Sequence, residues 1–181
     1  MTEPELLTTL AGIKHFLCPG QAWWLHQQVK GLPDKSVVLE IGTFHGYSAA
    51  AMGLACLDTH KKIICVDFNP DFLKQAFAHW SRLSLEGIIL GTLLDSERLL
   101  DYAACVQWPK FRFAFIDGSH TFEDVVRDYR TVKQLCEPGA RIAFHDVIPT
   151  WPGVLQAWRE VFAPELVDHQ FCESIASGVV K

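Results

Sequence analysis

The sequence predicts a doubly wound α/β fold: a mostly parallel sheet of about seven strands with an antiparallel last strand, in a single domain that begins with short helices. Three observations lead there. Short apolar, β-rich runs recur from position 37 at intervals of roughly 25 residues, the length of a strand, a helix and two loops. The first five runs are largely apolar on both faces, as expected of strands covered by helices on both sides. Between them lie helix starts and apolar stripes at helical spacing.

In order along the chain, residues 1–35 read as a helical segment, residues 3–17 and then 21–31, bounded by Pro33-Asp34. Trp23-Trp24 in its second helix are expected to pack on the sheet edge rather than to form a lid. Residues 36–181 make the α/β core. Its strands are Val37-Val38-Leu39, Ile63-Ile64-Cys65-Val66, Ile88-Ile89-Leu90, residues 111–116, residues 141–144 and Glu165-Leu166-Val167. Asn69-Pro70 supplies an N-cap and a first-turn proline, followed by Phe72, Ala76, Phe77 and Trp80 at helical spacing. Thr121 with Asp124 has the form of a capping box, and Phe122, Val125, Val126, Tyr129, Val132 and Cys136 form one stripe before Pro138-Gly139. Residues 171–181 complete the sheet as a strand hairpinned to the sixth.

Composition narrows the function classes. Of 181 residues 49% are hydrophobic and 20% charged, an ordinary globular balance. Lys plus Arg number 16 against 21 Asp plus Glu, a net charge of −5, which lacks the dense basic face of a nucleic-acid binder. The acidic start, Met1-Thr2-Glu3-Pro4-Glu5, is unlike a signal peptide, and no apolar run approaches the ~20 residues of a membrane span. Six cysteines, at 18, 56, 65, 105, 136 and 172, are dispersed without a C-x-x-C pair, so buried free thiols in a reducing cytoplasm are expected.

Chemistry in such a sheet is expected outside the carboxyl ends of the strands, at the switch point. The first strand runs into Glu40-Ile41-Gly42-Thr43-Phe44-His45-Gly46-Tyr47-Ser48, a glycine turn opening a small-residue helix, in which the glycines would let backbone approach a ligand. The second strand ends at Asp67, placed to accept the hydroxyls of a ribose. A pyrophosphate site would use G-x-G-x-x-G, whereas this turn is G-x-x-x-G with Glu40 before it, an anion suited to the ammonium of a bound amino acid. His45 in the same turn is expected to be solvated.

These residues resemble the first motif, E/D-x-G-x-x-x-G, of class I S-adenosylmethionine-dependent methyltransferases, and Val66-Asp67-Phe68-Asn69 resembles the acidic end of that family's second strand. The resemblance covers residues 36–181 and implies a Rossmann-like fold. Gly91-Thr92 and Asp95-Ser96 fall where the family contacts adenine. The segment from Ile116-Asp117-Gly118-Ser119-His120 to Phe122-Glu123 resembles the I-D-G-x-H-x-Y-E of family 24 small-molecule O-methyltransferases, with Phe122 for the tyrosine. Ala143-Phe144-His145-Asp146 is similar to the H-D or D-N pair after their fifth strand. What the resemblance implies is S-adenosylmethionine held by Glu40, Gly42, Thr43, Gly46, Ser48, Asp67, Phe68, Thr92, Asp95 and Asp117.

Independently of the resemblance, Asp117, His120, His145 and Asp146 stand at the ends of two neighbouring strands. Carboxylates and imidazoles converging there suit Mg²⁺ or another divalent ion, with Asp117, His145 and Asp146 as the expected ligands. Transfer to an acceptor oxygen needs its proton removed, so Asp117, His120 and His145 are the candidate catalytic groups, and one histidine acts alone if no ion binds. The alternatives are a cofactor-binding module without acceptor chemistry and a two-histidine, one-carboxylate iron oxygenase. The acceptor is expected to be a small molecule, with specificity from the N-terminal helices, the loop at 149–153 where Trp151 lies, or the partner subunit of a homo-oligomer. Trp151 fits acceptor stacking and core packing equally.

Overall fold

A computed structural model describes residues 1–181. Seven strands form one sheet: β1 Val37–Ile41, β2 Lys62–Asp67, β3 Ile89–Leu93, β4 Phe111–Ile116, β5 Cys136–Phe144, β6 Leu166–Cys172 and β7 Ile175–Val180. The order is β3-β2-β1-β4-β5-β7-β6. Strands β1 to β5 are parallel, and β7 runs antiparallel to both β5 and β6. The expected fold is therefore present. The chain winds outward twice from the centre, and the reversal falls between β1 and β4.

The helices are α1 Glu3–Thr9, α2 Pro19–Lys30, α3 Tyr47–Leu54, α4 Pro70–Arg82, α5 Leu99–Cys105, α6 Phe122–Leu135 and α7 Pro152–Ala157, the last continuing through a π-helical turn at Trp158–Phe162. Alternation along β1 divides the core. Val38 faces one layer, with Leu25 of α2, Ala50 of α3 and Trp80 of α4, while Leu39 and Ile41 face the other, with Leu99 of α5, Tyr129 of α6 and Phe162. No helix is long and apolar enough to cross a membrane.

Several boundaries differ from expectation for local reasons. The first helix stops at Thr9 instead of reaching 17, because Gly12 takes a left-handed backbone (φ +86°) and turns the chain out. The second begins at Pro19, where a first-turn proline leaves no donor unpaired, with the Gln21 side chain accepting from the Cys18 N–H. Cys136 belongs to β5 and not to the stripe of α6, since the extended backbone needed ahead of Pro138 begins there. The β4–β5 register then jumps from Phe111↔Cys136 to Phe113↔Arg141, leaving Pro138-Gly139 as a bulge. Phe171 and Cys172 end β6 instead of starting the last strand. Both Asn69 and Thr121 cap their helices as expected.

Trp23 and Trp24 pack against the first core layer, but not at the expected sheet edge: the Trp24 ring is 6.3 Å from Phe113 on β4, the central strand. All six thiols are free, but only Cys56, Cys65 and Cys136 are buried. Cys18 and Cys105 are exposed because they stand at helix ends, outside the apolar stripes.

Candidate active site

Where β1 and β4 part, their loops leave a cleft of about 960 Å³, walled by the loops after β1 to β5 and by residues 14–17. The turn after β1 is clamped to its neighbours: the Gly42 N–H donates to the Val66 carbonyl (2.9 Å) and the Asp117 N–H to the Ile41 carbonyl (2.8 Å). A Cβ on Gly42 (φ +86°) would lie 2.0 Å from the Asp117 carbonyl oxygen, and one on Gly46 (φ +80°) 2.6 Å from Trp80 Nε1. That indole N–H donates to the Gly46 carbonyl at 3.0 Å. The space these glycines leave is thus filled by protein and not kept for a ligand, a correction to the sequence reading.

Asp67 braces the same turn. Its Oδ2 accepts from the Thr43 N–H (3.0 Å) and the Phe44 N–H (2.9 Å), and its Oδ1 from the Asn69 N–H (2.8 Å). Glu40 lies behind the turn, fully buried under α3, and forms no part of the cleft wall. The Ser48 hydroxyl donates to Glu40 Oε1 at 2.5 Å, while Oε2 has no partner. Burial pushes this carboxyl up to about 8. Glu40 therefore reaches the cleft only through Ser48, which does line it and whose lone pairs are left to accept.

At the far end β4 delivers Asp117 and β5 delivers His145-Asp146. His145 is buried, its Nδ1 3.2 Å from Asp117 Oδ1 and 3.3 Å from Asp146 Oδ2. Its Nε2 lies 3.3 Å from both Gln21 Oε1 and Ser174 Oγ. Burial alone would lower this imidazole, but hydrogen bonding to the two carboxylates prevails and pushes it up to about 10, a standing cation. Burial raises Asp117. For Asp146 burial is outweighed by hydrogen bonds from His120 and His145, which hold it well below the usual carboxylate range.

His120 is half-open to the cleft. Its Nε2 is 2.9 Å from Asp146 Oδ2, and Trp151 stacks on its ring at 4.0 Å and 22°. An ionised carboxylate only accepts, so Nε2 carries the hydrogen and Nδ1 of the neutral ring keeps the lone pair. Asp117, His120 and Asp146 each place a ligand atom within 4.8 Å of the others. One imidazole with two carboxylates fits Mg²⁺, Mn²⁺ or Zn²⁺. His120 thereby takes the place that the sequence reading gave to His145, whose Nδ1–H is spent between the carboxylates, and no two-histidine iron set is formed.

The sequence profile of the family 24 methyltransferase domain matches residues 39–147, more than half of the chain. The chain belongs to this methyltransferase family. It is the class I, S-adenosylmethionine-dependent family that the motifs resemble. Solved structures share the fold of the methyltransferase at low identity. An O-methyltransferase from Bacillus cereus, solved with S-adenosylhomocysteine, superposes with a TM-score of 0.75 at 18% identity, covering 98% of this chain and 90% of that one. The O-methyltransferase TomG from Streptomyces achromogenes, involved in tomaymycin synthesis and solved with S-adenosylmethionine, gives 0.75 at 16%, covering 99% and 89%. A putative caffeoyl-CoA O-methyltransferase from Staphylococcus aureus gives 0.77 at 12%, covering 100% and 93%.

Among the residues expected to hold a cofactor, the methyltransferase places Gly42, Thr43, Ser48, Asp67, Phe68, Asp95 and Asp117 on the cleft wall, and Glu40, Gly46 and Thr92 behind it. Thr92 is paired inside the sheet opposite Val66. Asp95 spends one oxygen on the Glu97 N–H (3.0 Å). His45 is not on the wall and stacks on Phe44 at 4.0 Å. Sequence reasoning missed residues 14–17, where His15 stacks on Tyr47 at 3.7 Å and Phe16 is 76% exposed at the cleft. The signal was available in Gly12 and Pro19, which bracket a non-helical stretch. Gln21 and Ser174, behind His145, carried no local signal, being 124 and 29 residues from it in sequence.

Proposed function

We propose that the cleft binds S-adenosylmethionine and that the enzyme transfers its methyl group to a hydroxyl of a small molecule, a sugar, a phenol or a related natural product. The observation that carries this reading is the His120–Asp146 pair beside Asp117, a proton acceptor and its orienting carboxylate at the open end of the cleft. The ligands named with the Bacillus and Streptomyces structures support the cofactor. When bound, the sulfonium supplies an electrophilic methyl group for in-line displacement.

The protein's own part is to bind, orient and deprotonate. Asp67 keeps one lone pair, on Oδ1, beyond the three taken by the Thr43, Phe44 and Asn69 N–H groups, and accepts from a ribose hydroxyl there; Ser48, its hydrogen turned to Glu40, accepts from the ammonium. Asp117 and Trp151 position the acceptor. His120 Nδ1 takes the hydroxyl proton, and Asp146 stabilises the imidazolium that results, while the His145 cation keeps the two carboxylates from repelling each other. A divalent ion would be held by Asp117, His120 and Asp146 and would lower the pKa of the acceptor hydroxyl, leaving His120 a ligand instead of a base. A purely cofactor-binding role leaves this second cluster unexplained. The acid-lined cleft favours a small acceptor over nucleic acid, and six free thiols fit a cytoplasmic setting.

The test is transfer of labelled methyl from S-adenosylmethionine to a panel of phenols, sugars and amines after chelation, then with Mg²⁺, Mn²⁺ or Zn²⁺ restored. His120→Ala is expected to lower turnover by roughly 10²–10⁴-fold, the usual worth of a general base. Activity that survives chelation assigns the proton to His120, and activity that returns only with an ion assigns the metal route. Methylation of amines alone would overturn the hydroxyl assignment.

A further inference from the structure

The charge in the cleft is lopsided. Seven carboxylates line it against Lys14, Arg127 and the His145 cation, the last of which is held between Asp117 and Asp146. Arg127 is already engaged, 3.0 Å from Glu97 Oε1 and 2.8 Å from Asp124 Oδ1. Lys14 makes no ion pair; its Nζ stands 5.5 Å above the ring of Phe44. Phe44 belongs to the turn at 42–46, which leads into Ser48, the residue that takes the cofactor's ammonium on the reading above. His45 of the same turn is lowered by its burial and then by the charges of Lys14 and His79. The stretch that carries Lys14 is fixed on both sides, by Gly12 at the end of α1 and by the His15–Tyr47 stack, with His15 Nδ1 donating to the Leu17 carbonyl at 2.9 Å.

A sulfonium amino acid brings a carboxylate as well as an ammonium. In a cleft lined by acids, that carboxylate is costly to desolvate unless a cation meets it. We infer that Lys14 binds the α-carboxylate of S-adenosylmethionine, and so ties the segment between α1 and α2 over the loaded cofactor. This rests on the cofactor reading above. The competing partner is the first turn of α3, whose N–H groups have no side-chain cap.

Calorimetric titration of wild type, Lys14→Gln and Lys14→Arg separates these. The probes are S-adenosylhomocysteine and its decarboxylated analogue, the same nucleoside thioether with an aminopropyl chain. The preference for S-adenosylhomocysteine over the analogue is expected to fall about tenfold in Lys14→Gln, entirely through weaker binding of the carboxylate-bearing ligand, and to recover in Lys14→Arg. An equal loss for both ligands would make Lys14 a structural part of the strap, and no loss would give the carboxylate to α3; either overturns the inference. If wild type binds neither ligand, the cofactor reading itself fails, a result distinguishable from the other two.

Discussion

Glu40 is a carboxylate buried without enough donors. Burial pushes its carboxyl up to about 8 from an ordinary 4.5, against the lowering effect of the one hydrogen bond from Ser48 and with the other oxygen unpartnered, so the folded protein holds a proton that the unfolded chain releases. This group's contribution to stability is full below pH 4.5, is lost progressively as the pH climbs to about 8, and does not change further above. Glu40→Gln keeps the shape and removes the titration. Its melting temperature is expected to exceed that of wild type at pH 9 and to vary less between pH 5 and pH 8, read by thermal denaturation without ligand. A parallel fall of both proteins across that window would show that Glu40 is not the titrating group.

At the scale of elements, the turn between β1 and α3 shows what was legible in the sequence and what was not. G-x-x-x-G announced a tight turn into a helix. It did not reveal that the missing Cβ atoms make room for the Asp117 carbonyl and the Trp80 indole, because those contacts depend on chain that is distant in sequence. The same limit explains α1: a helical pattern through residue 17 is overridden by Gly12, and Leu10, Ile13 and Leu17 bury themselves from an irregular path instead. Gly46→Ala should cost roughly 1–3 kcal/mol through the left-handed backbone, with further loss from the clash with Trp80. At about 2–4 °C per kcal/mol for a chain of this length, differential scanning calorimetry will resolve it. Combined with Trp80→Phe, the loss should be less than additive; strict additivity would mean that Gly46 and Trp80 do not constrain each other.

For the whole molecule, the sheet order brings to one cleft residues that lie far apart along the chain. Doubly wound topology, the switch point and the four strand ends were readable from periodicity and motif spacing. Which histidine serves which role was not, since His120 and His145 both follow strands and differ only in their neighbours: Trp151 and one carboxylate for the first, two carboxylates with Gln21 and Ser174 for the second. The proposed activity requires the cleft to be a nucleoside-sulfonium site braced by Asp67. The most direct measurement is a calorimetric titration of wild type and Asp67→Ala with S-adenosylhomocysteine, with NAD as the comparison ligand and melting curves to verify folding. Saturable binding at one site per chain is predicted, weakened in Asp67→Ala by about 10- to 100-fold, the worth of a charge-assisted hydrogen bond of about 1.5–3 kcal/mol. Binding of NAD with no response to S-adenosylhomocysteine would contradict it.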